Sequence, residues 1–415
     1  MPSSWIQFFI LSLYIVASLA FLSAPPRQNW RLPGLALLNI ATIWGMFYRD
    51  QSWIFLGHFL WVLFHFVVAK FIFNRGHNRN WLVLFPILFL VGLRLVGFPS
   101  FQSWAYFLGA DTVLGLARFG IFASDSWIGV SYLAFRMSLL GIEIVSSQVA
   151  FPSLAQFISS FFFPITLTVG PITPYRFFQE RFQKGVVLGR KQIGVALERI
   201  LIGTTKYFFL GAIFYQGTFS RSFSEGQELT VGGFLFSVVS YTLYLYVNFS
   251  GFCDVVIGTS GLLGIQISEN FNSPLIARNL RDYWQRWHIS LSEFLRDSLF
   301  TPVTKWLIAN FPQLGLSHAV PISTFLVFVS IGLWHGFTWN FLLFGCLHGV
   351  GVIVFHYYQL FAKRWPAPFR SRYDKSLLVS VLARALTFSY VAICLFVFEN
   401  SWTRIQQIWR ALQGI

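Results

Sequence analysis

Two histidines in this sequence are placed for proton chemistry, His335 and His288. His335 stands in the run Phe325-Leu326-Val327-Phe328-Val329-Ser330-Ile331-Gly332-Leu333-Trp334-His335-Gly336. An ionisable side chain at hydrocarbon depth is costly to keep there, which marks it as a functional residue. A neutral imidazole is a competent general base, able to take the proton of a hydroxyl as that oxygen turns nucleophile. Gly332 and Gly336 flank the ring and leave room for a substrate. His288 belongs to a polar block, Arg278-Asn279-Leu280-Arg281-Asp282-Tyr283-Trp284-Gln285-Arg286-Trp287-His288-Ile289-Ser290-Leu291-Ser292. The spacing of Trp284, Trp287, His288, Leu291 and Leu295 predicts one face of a helix between Pro274 and Pro302. On that face His288 serves either chemistry or packing, and the residue alone leaves both open.

The other histidines set a contrast. His58 and His65 are seven apart on one apolar helix with no carboxylate on it, which argues against a metal. His348 follows His335 by 13 residues and either lines the same cavity or hydrogen-bonds across helices. His77 reads as a loop residue, and His318 and His356 sit near span ends. Cys253, Cys346 and Cys394 are far apart with no CxxC pair, so neither a disulfide framework nor a zinc site is expected. GxxxxGK[ST], HExxH and GxSxG motifs do not occur, which removes local support for an ATP-driven pump, a zincin or a serine hydrolase.

Residues that can hold such a site must come from helices in lipid. Of 415 residues, 55% are apolar, only 11% are charged, and 50 are Phe. A soluble surface needs roughly 25–35% charged residues. Because lipid leaves no exposed backbone group satisfied, an all-α polytopic transmembrane protein is expected. Apolar stretches of about 20 residues fall near 5–24, 34–48, 53–73, 81–98, 106–122, 127–149, 153–170, 195–217, 231–250, 320–340, 341–360 and 376–398. That gives about 10–12 spans, with re-entrant or interfacial helices between them. The first apolar stretch lacks a charged leader and reads as a retained span.

The formal charge of +15 fits basic loops better than nucleic-acid binding, since no soluble basic domain is present. Arg27 with Arg31, Arg75 with Arg79, the 176–191 segment and the 363–375 segment would face the cytoplasm, leaving the N-terminus outside. Gly258, Gly261 and Gly264 form a small-residue stripe that reads as helix packing. A helix as polar as 278–297 is expected at the interface or re-entering the protein. Asp282 and Arg286 are spaced to pair on it. No long linker or repeat divides the chain, so residues 1–415 are read as a single membrane domain.

Several runs together resemble the membrane-bound O-acyltransferases. They are Phe249-Ser250-Gly251-Phe252-Cys253-Asp254, Leu263-Gly264-Ile265, Glu269-Asn270-Phe271-Asn272-Ser273-Pro274, Trp284-Gln285-Arg286-Trp287-His288-Ile289-Ser290-Leu291-Ser292, Leu295-Arg296-Asp297 and Leu333-Trp334-His335-Gly336. Upstream, Ser131-Tyr132-Leu133-Ala134-Phe135-Arg136 and Gly170-Pro171-Ile172 with Tyr175-Arg176-Phe177 fit as well. The resemblance covers roughly residues 125–360, is nearest to the bacterial branch that acetylates alginate or passes D-alanine to teichoic acids, and leaves 1–124 unmatched.

That resemblance implies transfer of an acyl group, acetyl in preference to D-alanyl, from a cytoplasmic thioester through a membrane tunnel. The donor would be acetyl-CoA or a carrier-protein thioester, used as substrate, with no tightly bound cofactor and no metal. The acceptor would be a hydroxyl of a cell-surface polysaccharide, or of an exported partner that relays the group. A multi-pass protein of the bacterial plasma membrane follows. His335 matches the family's catalytic histidine and His288 its second characteristic histidine. Trp287-His288 would help line a funnel to the cytoplasm. Acyl transfer also needs donors at the oxyanion, for which Trp334, Ser330 and Asn340 are candidates. Arg281 and Arg286 stand where an anionic donor would first meet the protein, and pairing with Asp282 and Asp297 is the competing reading. Two other classes remain in view. A transporter of envelope precursors would line a path with Arg94, Arg136, Glu143 and Asp254. A non-catalytic assembly subunit would tolerate replacement of His335.

Overall fold

Apolar runs become helices here because a helix satisfies every backbone group within its own segment. The computed structural model describes residues 2–25, 28–76, 78–96, 129–184, 189–224 and 228–414. It is 81% helical with no strands among the described residues. In chain order the helices are α1 Pro2–Ser23, α2 Arg31–Ile43, α3 Ser52–Arg75, α4 Trp81–Val96, α5 Val130–Val145, α6 Leu154–Phe161, α7 Tyr175–Lys184 and α8 Arg190–Thr204. They continue with α9 Gly211–Gln216, α10 Phe219–Ser222, α11 Val231–Leu262, α12 Leu280–Trp284, α13 Ile289–Leu295, α14 Thr301–Asn310, α15 Gly315–His335 and α16 Trp339–Ala362. The last are α17 Ala367–Lys375, α18 Leu377–Glu399 and α19 Trp402–Gln413. Single π turns extend α2 over Trp44–Tyr48 and join α8 to α9 over Thr205–Leu210.

Among the described residues, five helical stretches are long and apolar enough to cross a membrane: Ser52–Arg75, Val231–Leu262, Pro312–His335, Trp339–Ala362 and Leu377–Glu399. The chain forms two compact units, residues 1–200 with 256–268, and residues 201–255 with 269–415. The predicted span 106–122, together with Arg27 and His77, lies outside the described residues. Of Arg94 only the backbone is described.

In the first unit, buried polar side chains fasten chain ends. Arg31 is no free loop charge. It is fully buried at the start of α2 and donates to the carbonyls of Phe21, Leu22 and Phe182. A guanidinium fits this task because its planar fork carries several donors at once. Gly258 packs as the stripe predicts, since a Cβ there would lie 2.8 Å from the Ala196 carbonyl oxygen, but Gly264 lies past the end of α11 in the left-handed region at φ 65°. The 153–170 stretch does not span. Its helix α6 starts on a Ser153–Gln156 capping box and stops at Phe161, ahead of a short 3-10 turn over Pro164–Thr166.

In the second unit, α15 and α16 form an antiparallel hairpin joined by residues 336–338. Their backbones nearly touch. A Cβ on Gly332 would sit 2.3 Å from the Phe341 carbonyl oxygen, and one on Gly345 would sit 2.4 Å from that of Phe328. Helix α18 lies against α16, where the Tyr390 hydroxyl donates to the Leu347 carbonyl at 2.7 Å. Trp287, Tyr283, Phe328, Ile331, Phe344, Val391 and Leu395 make the core beneath the hairpin.

The segment between Pro274 and Pro302 is not one helix. It breaks after Trp284, and α13 begins only at Ile289, with His288 in the left-handed region at φ 44°. Strand-like pairing wins over helical spacing here. Phe271 and Trp287 form an isolated antiparallel bridge, Asn272 N–H donates to the Arg286 carbonyl, and Ile289 N–H donates to the Asn270 carbonyl.

Candidate active site

Helix α15 ends on His335, so the histidine lies at a helix terminus rather than in mid-span as the 320–340 reading places it. Gly336 follows with extended backbone and closes the end through its N–H to the Gly332 carbonyl. The His335 side chain is exposed but held by rings from three helices. Trp334 lies at 4.5 Å, Phe341 at 5.9 Å, Phe344 at 6.1 Å, and Phe398 meets it edge-on at 4.8 Å. An imidazole so flanked keeps its orientation while its nitrogens remain reachable.

His348 sits one layer deeper on α16, fully buried. Its Nδ1 accepts from Trp284 Nε1–H at 3.2 Å, so the ring proton belongs on Nε2 in this arrangement. Phe344 separates the two histidines, 4.7 Å from His348 and 6.1 Å from His335. His348 therefore anchors α12 to α16 rather than facing the first ring directly.

His288 is buried in the helix break, with the Phe249 ring 4.9 Å away. Its Nε2 has no hydrogen-bond partner. Burial pushes its pKa down to about 3, and the nearby His335 ring adds to the shift. One histidine is thus buried and neutral, the other exposed. A non-glycine residue in the left-handed region costs of order 1–3 kcal/mol, so the surroundings must impose it. Asn270 does much of this. Its Oδ1 accepts from Ser290 N–H at 3.2 Å and Ser290 Oγ at 2.6 Å, while its Nδ2 donates to Cys253 Sγ at 3.4 Å.

The proposed donor-side residues separate. Arg286 is committed to Asp282 at 2.6 Å and to the Asn272 carbonyl at 3.2 Å. Arg281 is exposed and makes no ion pair among the described residues. Trp287 is core, stacked on Tyr283 at 5.7 Å and edge-on to Phe271 at 5.0 Å. Asp297 pairs with its neighbour Arg296. Of the oxyanion candidates, Ser330 donates to the Leu326 carbonyl and Asn340 to the Phe398 carbonyl. Among the described residues, no group of three or more His, Cys, Asp or Glu could hold a metal.

Three of the four charges a transport path would need, Arg136, Glu143 and Asp254, are occupied locally. Arg136 donates to Thr166 and to the Ser160 carbonyl between the Phe161 and Phe178 rings. Glu143 accepts from the N–H groups of Tyr175 and Arg176 and pairs with the Arg176 guanidinium. Asp254 pairs with Lys206 at 2.8 Å.

The sequence reading missed two contributors. Phe398 is one ring among 50 Phe, and only the fold shows that it packs on His335. Asn270 had a signal, an amide within an otherwise apolar and turn-forming run, but no spacing linked it to Ser290.

A family model described as MBOAT, membrane-bound O-acyltransferase family, matches residues 131–398. The chain belongs to that family and is an O-acyltransferase of the membrane. It is 28% identical to the teichoic acid D-alanyltransferase of Bacillus subtilis over 281 residues, 66% of this chain and 69% of that one. It is 26% identical to the peptidoglycan O-acetyltransferase of Helicobacter pylori, over 100% of this chain and 77% of that one. A protein of Azotobacter vinelandii named "Probable alginate O-acetylase AlgI" is 26% identical over 84% of this chain and 67% of its own length.

Proposed function

We propose that this protein transfers an acetyl group from a thioester donor to a hydroxyl of a cell-envelope polysaccharide, or of an exported partner that relays it. The observation that carries the reading is exposed, ring-held His335 at the end of α15, in the same compact unit as buried, neutral His288. His335 takes the proton of the acceptor hydroxyl, and the oxygen attacks the thioester carbonyl. The tetrahedral intermediate collapses, the C–S bond breaks, and the imidazolium returns its proton to the leaving thiolate. His288 Nε2, with no protein partner, is free in its N–H tautomer to donate to the developing oxyanion.

The donor, acetyl-CoA or a carrier-protein thioester, is consumed as substrate, with no resident cofactor. Exposed Arg281 is the better placed of the two arginines to meet an anionic donor, because Arg286 is held by Asp282. The plasma membrane of a bacterium suits relatives that modify peptidoglycan, alginate and teichoic acid by name. The likeness to the D-alanyltransferase supports D-alanyl transfer as the second reading.

The test is the ester content of surface polysaccharide in cells carrying the wild type, His335→Ala or His335→Gln, with membrane insertion measured alongside. Loss of acetyl esters by more than about 10²-fold, the scale of removing a general base, with normal insertion supports the assignment. Persistent esters would make His335 structural. D-alanyl esters in place of acetyl esters would select the second reading.

A further inference from the structure

A cavity lies away from His335 and His288, at the other face of α18. It measures ≈ 780 Å³ and is walled by α11 (Phe234, Val238), α18 (Ile393, Phe396) and α19 (Ile405, Trp409). Nearly all its lining is apolar, with Ser389, Gln406 and Arg410 as the polar members. Its floor is the buried cluster Phe219, Val238, Ala392 and Ile408.

Helix α19 covers this cavity and is fixed at both ends. Arg404 donates to the Phe219 and Phe223 carbonyls, and Leu229 N–H donates to the Ala411 carbonyl. Hydrogen bonds near both of its ends thus hold α19 in place along the cavity. At 12 residues α19 is too short to cross a bilayer. It turns Ile408 inward, exposes Trp402 and Trp409, and carries Arg404 and Arg410 with no acidic residue. Exposed tryptophans with arginines on an amphipathic helix belong at the level of lipid headgroups.

We propose that this groove is a glycerophospholipid site, one acyl chain filling the cavity and the phosphate meeting Arg410. The volume falls within the range of small-molecule sites, roughly 300–1,000 Å³. A spanning partner helix, about 30 Å long and 10 Å across, would need several times that space. The one cation on the lining gives the charge complement for a phosphate. Phe396 lines the groove while Phe398, two residues on and facing the other way, packs on His335. A chain in the groove thus braces the last turn of α18.

The experiment reconstitutes the full chain in phosphatidylglycerol vesicles containing a trace of the same lipid with a diazirine on its acyl chain. After irradiation, labelled peptides are mapped by mass spectrometry. Labelling should concentrate on α18 and α19 at the groove. It should fall at least fivefold in Ile393→Trp and in Val239→Trp, two independent ways of filling the cavity. Arg410→Gln should lower labelling by the phosphatidylglycerol probe about threefold, and leave labelling by an uncharged diacylglycerol probe unchanged. Even labelling of all lipid-facing helices, or no response to either filling variant, would overturn the proposal. So would a co-purifying partner protein cross-linked in the groove.

Discussion

Each compact unit carries a pair of histidines among aromatic rings, and the pairs differ in what the backbone does beneath them. His58 and His65 lie on the unbroken helix α3, both buried. His58 Nδ1 is engaged by the Tyr48 hydroxyl at 2.8 Å, and His65 Nδ1 by the Trp61 carbonyl of its own helix at 3.0 Å. His335 instead stands on the last residue of a helix, and His288 in a left-handed break between two helices. A continuous helix supplies nearby partners that absorb an imidazole. The interrupted backbone leaves His335 exposed at its helix end, while His288 stays buried in the break. Interruption of the backbone, more than depth in the apolar layer, is what we propose separates a working histidine from a packing one.

That contrast can be broken most sharply by matched substitutions. His288→Ala should lower acyl transfer by about 10²-fold or more, the scale of losing an oxyanion donor, whereas His65→Ala should leave the rate within about twofold. Equal losses in polysaccharide ester content would end the distinction. His288→Asn keeps a residue that tolerates the left-handed region and should retain more activity than the alanine variant. Next in size is Gly332→Ala, whose Cβ would meet the Phe341 carbonyl. Overpacking of this kind typically costs about 1–3 kcal/mol and should appear as a lower Tm together with misplaced His335. Asn270→Ala removes the acceptor for Ser290 N–H and Oγ. It should destabilise by about 1–3 kcal/mol and lower activity more than stability, as read by rate against thermal melting.

A separate effect is in pH. The folded pKa of His288, near 3, lies below the ordinary value of about 6.5, so the unfolded chain takes up the proton first. Stability from the neutral ring is complete above about 6.5 and is lost as pH falls from there towards 3. Melting curves between pH 4 and 8 should show this acid limb in the wild type and a flatter one in His288→Asn.

Much of the fold was legible because hydropathy reports burial in lipid directly. The stretches 53–73, 341–360 and 376–398 correspond to α3, α16 and α18 within a few residues. Helix interruptions were not legible. Trp284, Trp287, His288, Leu291 and Leu295 have helical spacing, yet the pairing of Phe271 with Trp287 comes from a segment 16 positions earlier and overrides it. The end of α15 carried a signal, since glycine just after the last helical residue is a common stop, but the surrounding apolar run masked it. The match to the family through residue 398 has a physical counterpart in Phe398, whose place beside His335 no local spacing announces.

The three-residue connection between α15 and α16 also bears on how the site comes into being. Contacts between neighbouring helices in a short hairpin have low contact order, and such local contacts form early. The Gly332–Gly345 seam, which sets the position of His335, is closed by residues only 13 apart. The His288 break needs Phe249 and Asn270 from earlier in the chain, and Phe398 must arrive from later. In order of synthesis, His335 is therefore mounted on a locally encoded hairpin, and the Phe398 ring that finishes its cage arrives from a later helix.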